Sequence, residues 1–151
     1  MNATSLAALK TETNVTFDTN VLISASLSTK GSSYALIHLA AEGKITGNTS
    51  KTLIDEFKEI LTRDHFFPLE RVEHTANGLL LFLKLMNPQL SVYAIKTDED
   101  DNRVLECAVA ADAEYIASWD PPLTNLVEFE GIKILNPGKL LAELKEVHGI
   151  P

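Results

Sequence analysis

Sulfur is scarce in this chain of 151 residues, which holds one cysteine, Cys107, and two methionines. One thiol can form neither an internal disulfide nor a thiolate metal site, so the composition fits a reducing, cytoplasmic compartment. No apolar run approaches the ~20 residues that cross a bilayer, so no membrane association is expected. The N-terminus has no basic region followed by an apolar core, so no signal peptide is expected either. Basic residues are also short, 13 lysines and arginines against 21 acids, for a formal charge of −8. A passive nucleic-acid binder needs a basic stripe for counterion release, and this chain has none. An enzyme that reaches phosphate through divalent cations is not excluded, because such a site must itself be acidic.

Repeats, low-complexity tracts and linkers are absent as well. What remains, at 45% apolar and 23% charged residues, is the composition of one compact domain over 1–151 with a single core. Residues 1–13 show little pattern and read as a loosely ordered lead-in.

Residues 15–17 are β-branched or aromatic and read as a strand. Asp18 and Asn20 punctuate it, and Val21, Leu22 and Ala25 begin a helical stripe. Asp18 thus stands at the carboxyl end of a strand, where open α/β sheets bind ligands, although the same position also suits a simple helix cap. Residues 34–42 read as a helix stopped by Gly43, and 44–47 as a short second strand. Asn48, Thr49 and Ser50 then open a periodic helix with Leu53, Ile54, Phe57, Ile60 and Leu61 on its buried stripe. Glu56 borders that stripe, able to look into a cleft or to be a solvated glutamate, while Asp55, Lys58 and Glu59 face away. Residues 69–86 are helical again. The second half, 79–86, is apolar nearly all round, which implies a place central to the core or an oligomer contact, and a homodimer is the expectation drawn. Residues 90–95 follow as a third strand.

Next, the acidic run from Asp98 to Asp101 leads into an alanine-rich helix. Carboxylates there complement the helix dipole, but that effect is indifferent to helical phase. Asp101, Val104, Leu105 and Ala108 share one face, so Asp101 points towards the sheet, where a lone ionised group is costly to desolvate. Residues 115–118 form a fourth strand that ends at Asp120, 131–135 a short edge strand, and Asn136-Pro137 starts the last amphipathic helix. This alternation predicts a parallel sheet with helices on both faces. If the first and fourth strands are neighbours, Asp18 and Asp120 meet at the switch point.

Asp18, Glu56, Asp101 and Asp120 therefore aim at one end of the sheet. Clustered carboxylates repel, and one or two Mg²⁺ or Mn²⁺ ions relieve that because hard cations prefer oxygen ligands. Such an ion can activate water and steady a phosphodiester during displacement. His38, His65, His74 and His148 lack metal-ligand spacing and read as structural or surface residues.

The stretch from Phe17 to Ala25, taken with that from Asp100 to Ala108, resembles the PIN-domain family. More narrowly it is similar to the toxin components of prokaryotic toxin–antitoxin pairs, related to VapC-type ribonucleases. Residues 53–63 resemble that branch's glutamate-bearing helix, and 113–120 its strand ending in Ser-X-Asp. The resemblance implies an α/β fold, a three-layer α/β/α sandwich around a central parallel sheet of four to five strands. It further implies Mg²⁺- or Mn²⁺-dependent cleavage of single-stranded RNA, an antitoxin partner and a homodimer. The family's acidic catalytic and metal ligands carry over to Asp18, Glu56, Asp101 and Asp120, and its polar supports to Asn20 and Ser118. Asp100 is the alternative to Asp101, with helix phase favouring Asp101.

One departure stands out. Family members usually continue Ser-Gly-Asp-X-Asp-Leu, and here the run is Ser118-Trp119-Asp120-Pro121-Pro122-Leu123. Trp119 and Pro122 imply a stiffer loop and one outer carboxylate fewer, so the competing reading is a catalytically impaired PIN-fold module that binds RNA or protein. An aspartyl-phosphate protein fits less well: the phosphatase type wants an acid where Asn20 stands, and a receiver wants its acidic pair just after the first strand.

Overall fold

The computed structural model describes residues 13–95 and 99–151. The expected lead-in lies outside the described residues except for Thr13, and so do residues 96–98, which include the first aspartate of the acidic run. In chain order the elements are β1 (Asn14–Phe17), α1 (Thr19–Leu27), α2 (Ser32–Ala41), β2 (Thr46–Ser50), α3 (Lys51–Arg63), α4 (Leu69–Leu80) and β3 (Lys84–Met86). There follow α5 (Glu99–Ala111), β4 (Tyr115–Ala117), α6 (Pro121–Thr124), β5 (Glu128–Phe129), β6 (Ile132–Leu135) and α7 (Pro137–His148).

The strands form one sheet in the order β3-β2-β1-β4-β6-β5. Every pairing is parallel except β5 with β6. Strand order reverses between β1 and β4, which are direct neighbours, so the sheet has its switch point there. Residues alternate across it as the pleat requires. On one face Val15, Phe17, Tyr115 and Ala117 pack with Leu22 of α1, Leu36 of α2, Phe57 of α3, Val72 of α4 and Leu140 of α7. On the other, Ile116 and Ile134 pack with Leu105 and Ala108 of α5 and Leu123 of α6. These are the three layers of an α/β/α sandwich.

The sheet closes tightly over Gly47. A Cβ there would stand 2.5 Å from Phe17 Cε2 and 2.6 Å from Leu83 Cδ2, distances that only a missing side chain permits. On the opposite face a buried polar ladder joins β1 to β2: Thr16 Oγ1 donates to Asn48 Oδ1, and Asn48 Nδ2 to Asn14 Oδ1. Asn14 Nδ2 continues it to the Ala111 carbonyl at 2.8 Å, at the end of α5.

Four sequence expectations change. The apolar run 79–86 is not one helix. Past Gly78 the backbone tightens into turns, with Leu81 N donating to Gly78 O and Phe82 N to Leu79 O. The chain then becomes β3, so Leu79 and Leu83 are buried while Leu81 and Leu85 are 88% and 55% exposed.

Residues 90–95 are not a strand, because side chains of α5 take their backbone groups. Val92 N donates to Glu106 Oε2 at 2.8 Å, and Arg103 donates to Val92 O at 3.1 Å. Asn102 binds both Ile95 N and Ile95 O, at 2.7 and 2.6 Å.

The second strand is shifted to Thr46–Ser50, so Asn48 and Thr49 belong to the sheet. Ser50 alone caps α3, accepting from Leu53 N at 3.2 Å. Finally, the sheet has six strands: β5 pairs outside β6, so β6 is interior rather than an edge.

Candidate metal centre

Asp18 leaves β1 in extended conformation at the N-cap position of α1, yet its side chain makes no capping hydrogen bond. Its carboxylate instead accepts from Ser118 Oγ at 2.6 Å, and its backbone N donates to Ala117 O at 3.0 Å. The simple capping reading therefore fails. Ser118, fully buried at the end of β4, also accepts from Asp120 N at 2.9 Å, so one hydroxyl ties both strand-end aspartates. Asp120 likewise makes no side-chain cap to α6. The loop between them is stapled to the first two helices: Trp119 N donates to Asn20 Oδ1 at 3.2 Å, and Trp119 Nε1 to Ser33 Oγ at 2.8 Å. Trp119, which reads in sequence as a departure, is thus the clamp on the loop that carries Asp120.

Asp101 arrives from α5 and is only 4% exposed, in the company of Val104, Leu105 and Ala108. The phase argument places it on that face, and it sits there. Asp18, Asp101 and Asp120 each offer a carboxylate oxygen, and the three oxygens lie within 4.8 Å of one another. Glu56, half-buried on α3, lines the same cleft of about 270 Å³ but stands outside that trio. Asn20 and Asp100 also line it. Three oxygen anions with no histidine or thiol among the described lining residues form a donor set suited to a hard divalent cation.

Glu59, Ile60 and Arg63 complete the cleft's described lining. Glu59 was expected to face away, but on α3 the positions 56, 59, 60 and 63 share one side, so it borders the opening. Arg63, two turns beyond Glu56, is not among the residues the sequence motifs single out. The i, i+3, i+4, i+7 spacing from Glu56 carried that signal. Its guanidinium pairs with Glu59 at 3.1 Å and with Asp64 at 2.9 Å. Asp64 first, then Glu59 and Glu56, hold its pKa above the ordinary arginine value. A larger hollow of about 700 Å³ opens at the other end of β4 and β6, between Asp112, Tyr115, Val127 and Lys133. It contains none of these carboxylates, so size does not identify the site.

A sequence model of the PIN domain matches residues 14–121, which takes in all four carboxylates. No curated protein sequence matches the chain. Among solved structures the fold is similar to the VapBC2 complex from Rickettsia felis bound to a DNA fragment from its promoter. The TM-score is 0.58 at 14% identity, covering 82% of this chain and 98% of that one. At that identity the likeness is one of fold. The sequence match spans most of the chain and the sheet around the switch point has the corresponding architecture, and on those grounds the chain belongs to the PIN-domain family.

Proposed function

We propose that the chain is a metal-dependent endoribonuclease that cleaves single-stranded RNA, acting in the cytoplasm as the toxin of a toxin–antitoxin pair. The observation that carries this reading is the convergence of Asp18, Asp101 and Asp120 within 4.8 Å at the switch point. These three residues, with Glu56 beside them, would hold Mg²⁺ or Mn²⁺. A bound ion of this type supplies an acidified water and positive charge opposite the phosphodiester. Ser118 fixes Asp18 by donating to its Oδ2. Asn20 holds the Trp119 backbone and through it the position of Asp120. Glu56, in the same cleft beside the aspartates, would take a proton from the attacking water at one of its oxygens.

Purified protein with Mn²⁺ is expected to cut single-stranded RNA, and Asp18→Asn to abolish cutting while the far-ultraviolet spectrum stays unchanged. Cleavage that survives this substitution refutes the proposal. Pro122, which stands where the resembling family commonly carries a further acid, favours a second reading, a PIN-fold module that binds RNA or protein without cleaving. Calorimetric titration with Mn²⁺ separates the two, since no binding at millimolar metal selects the inactive module.

The antitoxin partner rests on the PIN membership and on the family branch that the sequence resembles. A homodimer is supported by Leu81 and Leu85, exposed beyond α4 and on the edge strand β3. Light scattering on Leu81→Lys should then report monomer where the unaltered protein reports dimer.

A further inference from the structure

We propose that Arg63 is the substrate-phosphate residue of this cleft, binding a backbone phosphate of the RNA next to the one being cut; the inference rests on the nuclease reading. The described lining of the cleft is strongly anionic, with Asp18, Glu56, Glu59, Asp100, Asp101 and Asp120 against a single cation, Arg63. A divalent ion held by the three aspartates and Glu56 would offset part of that charge, but not at Glu59 or Asp100 on the cleft's flank. A single strand carries a charge on every nucleotide, so the phosphates flanking the scissile one meet the remaining carboxylates of a chain whose formal charge is −8. Unless a cation stands on the cleft wall, the strand is repelled there.

Arg63 is built for that position. It lies seven residues after Glu56 on the same side of α3, about 10 Å further along the helix axis. That offset suits a neighbouring phosphate rather than the reacting one. Its side chain is 59% exposed yet held from two sides. Nε donates to Asp64 Oδ1 at 2.9 Å, Nη2 to Asp64 Oδ2 at 3.2 Å, and Nη1 to Glu59 Oε1 at 3.1 Å. A guanidinium has five N–H donors in a rigid fork, so these bonds orient it and leave two donors for a ligand. Phosphate is the oxyanion that such a fork matches, and pre-orientation lessens the ordering lost on binding.

The test compares unaltered protein with Arg63→Gln and Arg63→Lys. Binding of a fluorescein-labelled, mixed-sequence single-stranded RNA is read by anisotropy across a KCl series in Ca²⁺, and cleavage is read separately in Mn²⁺. Loss of one phosphate contact on a single strand should lower the slope of log affinity against log salt by about 0.7. For Arg63→Gln we expect that change together with a KM raised about tenfold, the order of one charged hydrogen bond, and kcat within twofold. Arg63→Lys should keep the slope and lose part of the affinity, because a point charge replaces a fork. Melting temperatures should stay within a few degrees of one another. An Arg63→Gln protein with unaltered slope and KM overturns the inference and leaves the nuclease reading standing, as does a fall in kcat with KM unmoved. Unaltered protein that neither binds nor cuts the RNA overturns both.

Discussion

Replacing Asp120 by asparagine should stabilise the metal-free protein while it weakens metal binding. Asp120 faces two other carboxylates with oxygens within 4.8 Å. At that separation each like-charge pair costs about 1 kcal/mol under water-like screening and about 3.5 kcal/mol at an effective dielectric of ~20. Asp120 is half-buried, so the lower end applies, and neutralising it relieves two pairs. Its side chain caps nothing, and its backbone bond to Ser118 is untouched by the change, so little is lost in exchange. The net gain should be about 1–2 kcal/mol, or a melting temperature raised by roughly 3–6 °C for a chain of this size. With Mn²⁺ the order should invert. Metal at a hundred times its Kd adds about 2.7 kcal/mol to the folded state that binds it, and the substituted site gains less. Differential scanning fluorimetry in EDTA and across a Mn²⁺ series measures both halves. Asp120→Asn melting below the unaltered protein in EDTA, or an equal Mn²⁺ shift in both, would show that these carboxylates do not share one ion.

Three more outcomes follow from the packing. Gly47→Ala forces a methyl into Phe17 and Leu83, and overpacking of this kind costs about 1–3 kcal/mol, to be read as a lower urea midpoint with an unchanged m-value. Trp119→Phe keeps a ring but removes the donor to the buried Ser33 hydroxyl; it should lower stability by about 1 kcal/mol, and Mn²⁺ affinity by calorimetry should fall with it as the Asp120 loop loosens. Burial raises the Cys107 thiol to about 12, so at pH 8 the native protein should resist a thiol reagent that titrates one equivalent in denaturant. Prompt labelling of the folded chain would mean that α5 opens readily.

The sequence made the aspartates legible because each obeys a local rule. Asp18 and Asp120 end apolar strands, and Asp101 shares a helical face with Val104, Leu105 and Ala108. The alternation of strands and helices likewise implies a parallel sheet with helices on both faces, and the resemblance names the same three layers. Legibility failed where one pattern serves two structures. The leucines of 79–86 suit a buried helix as well as a turn followed by an edge strand, and only Gly78 hints at the break. Residues 90–95 have strand composition, but their backbone partners are Asn102, Arg103 and Glu106, and hydropathy cannot tell a side-chain partner from a strand. Glu59 and Arg63 were hidden for a different reason. They stand off the buried stripe of α3, and a cleft is lined by the flank of a helix rather than its core face.

Trp119 shows how a local departure acquires meaning from distant residues. Three carboxylates with oxygens within 4.8 Å of one another repel, and that repulsion tends to pry β1 from β4 at the end where they meet. The opposing bonds all cross between the two strand-end loops or reach from them to the helices. Asp18 N binds Ala117 O, Ser118 binds Asp18, and Trp119 binds both Asn20 and Ser33. A glycine between Ser118 and Asp120 could supply the backbone bond to Asn20 but not the one to Ser33. The indole therefore adds a tie that the usual sequence lacks, close to a proline pair that limits the loop from its other side. A loop so held keeps Asp120 beside Asp18 and Asp101 through bonds of the chain itself. Holding like charges together costs stability that a bound divalent cation would return, and that is the balance the Asp120→Asn melting curves would measure.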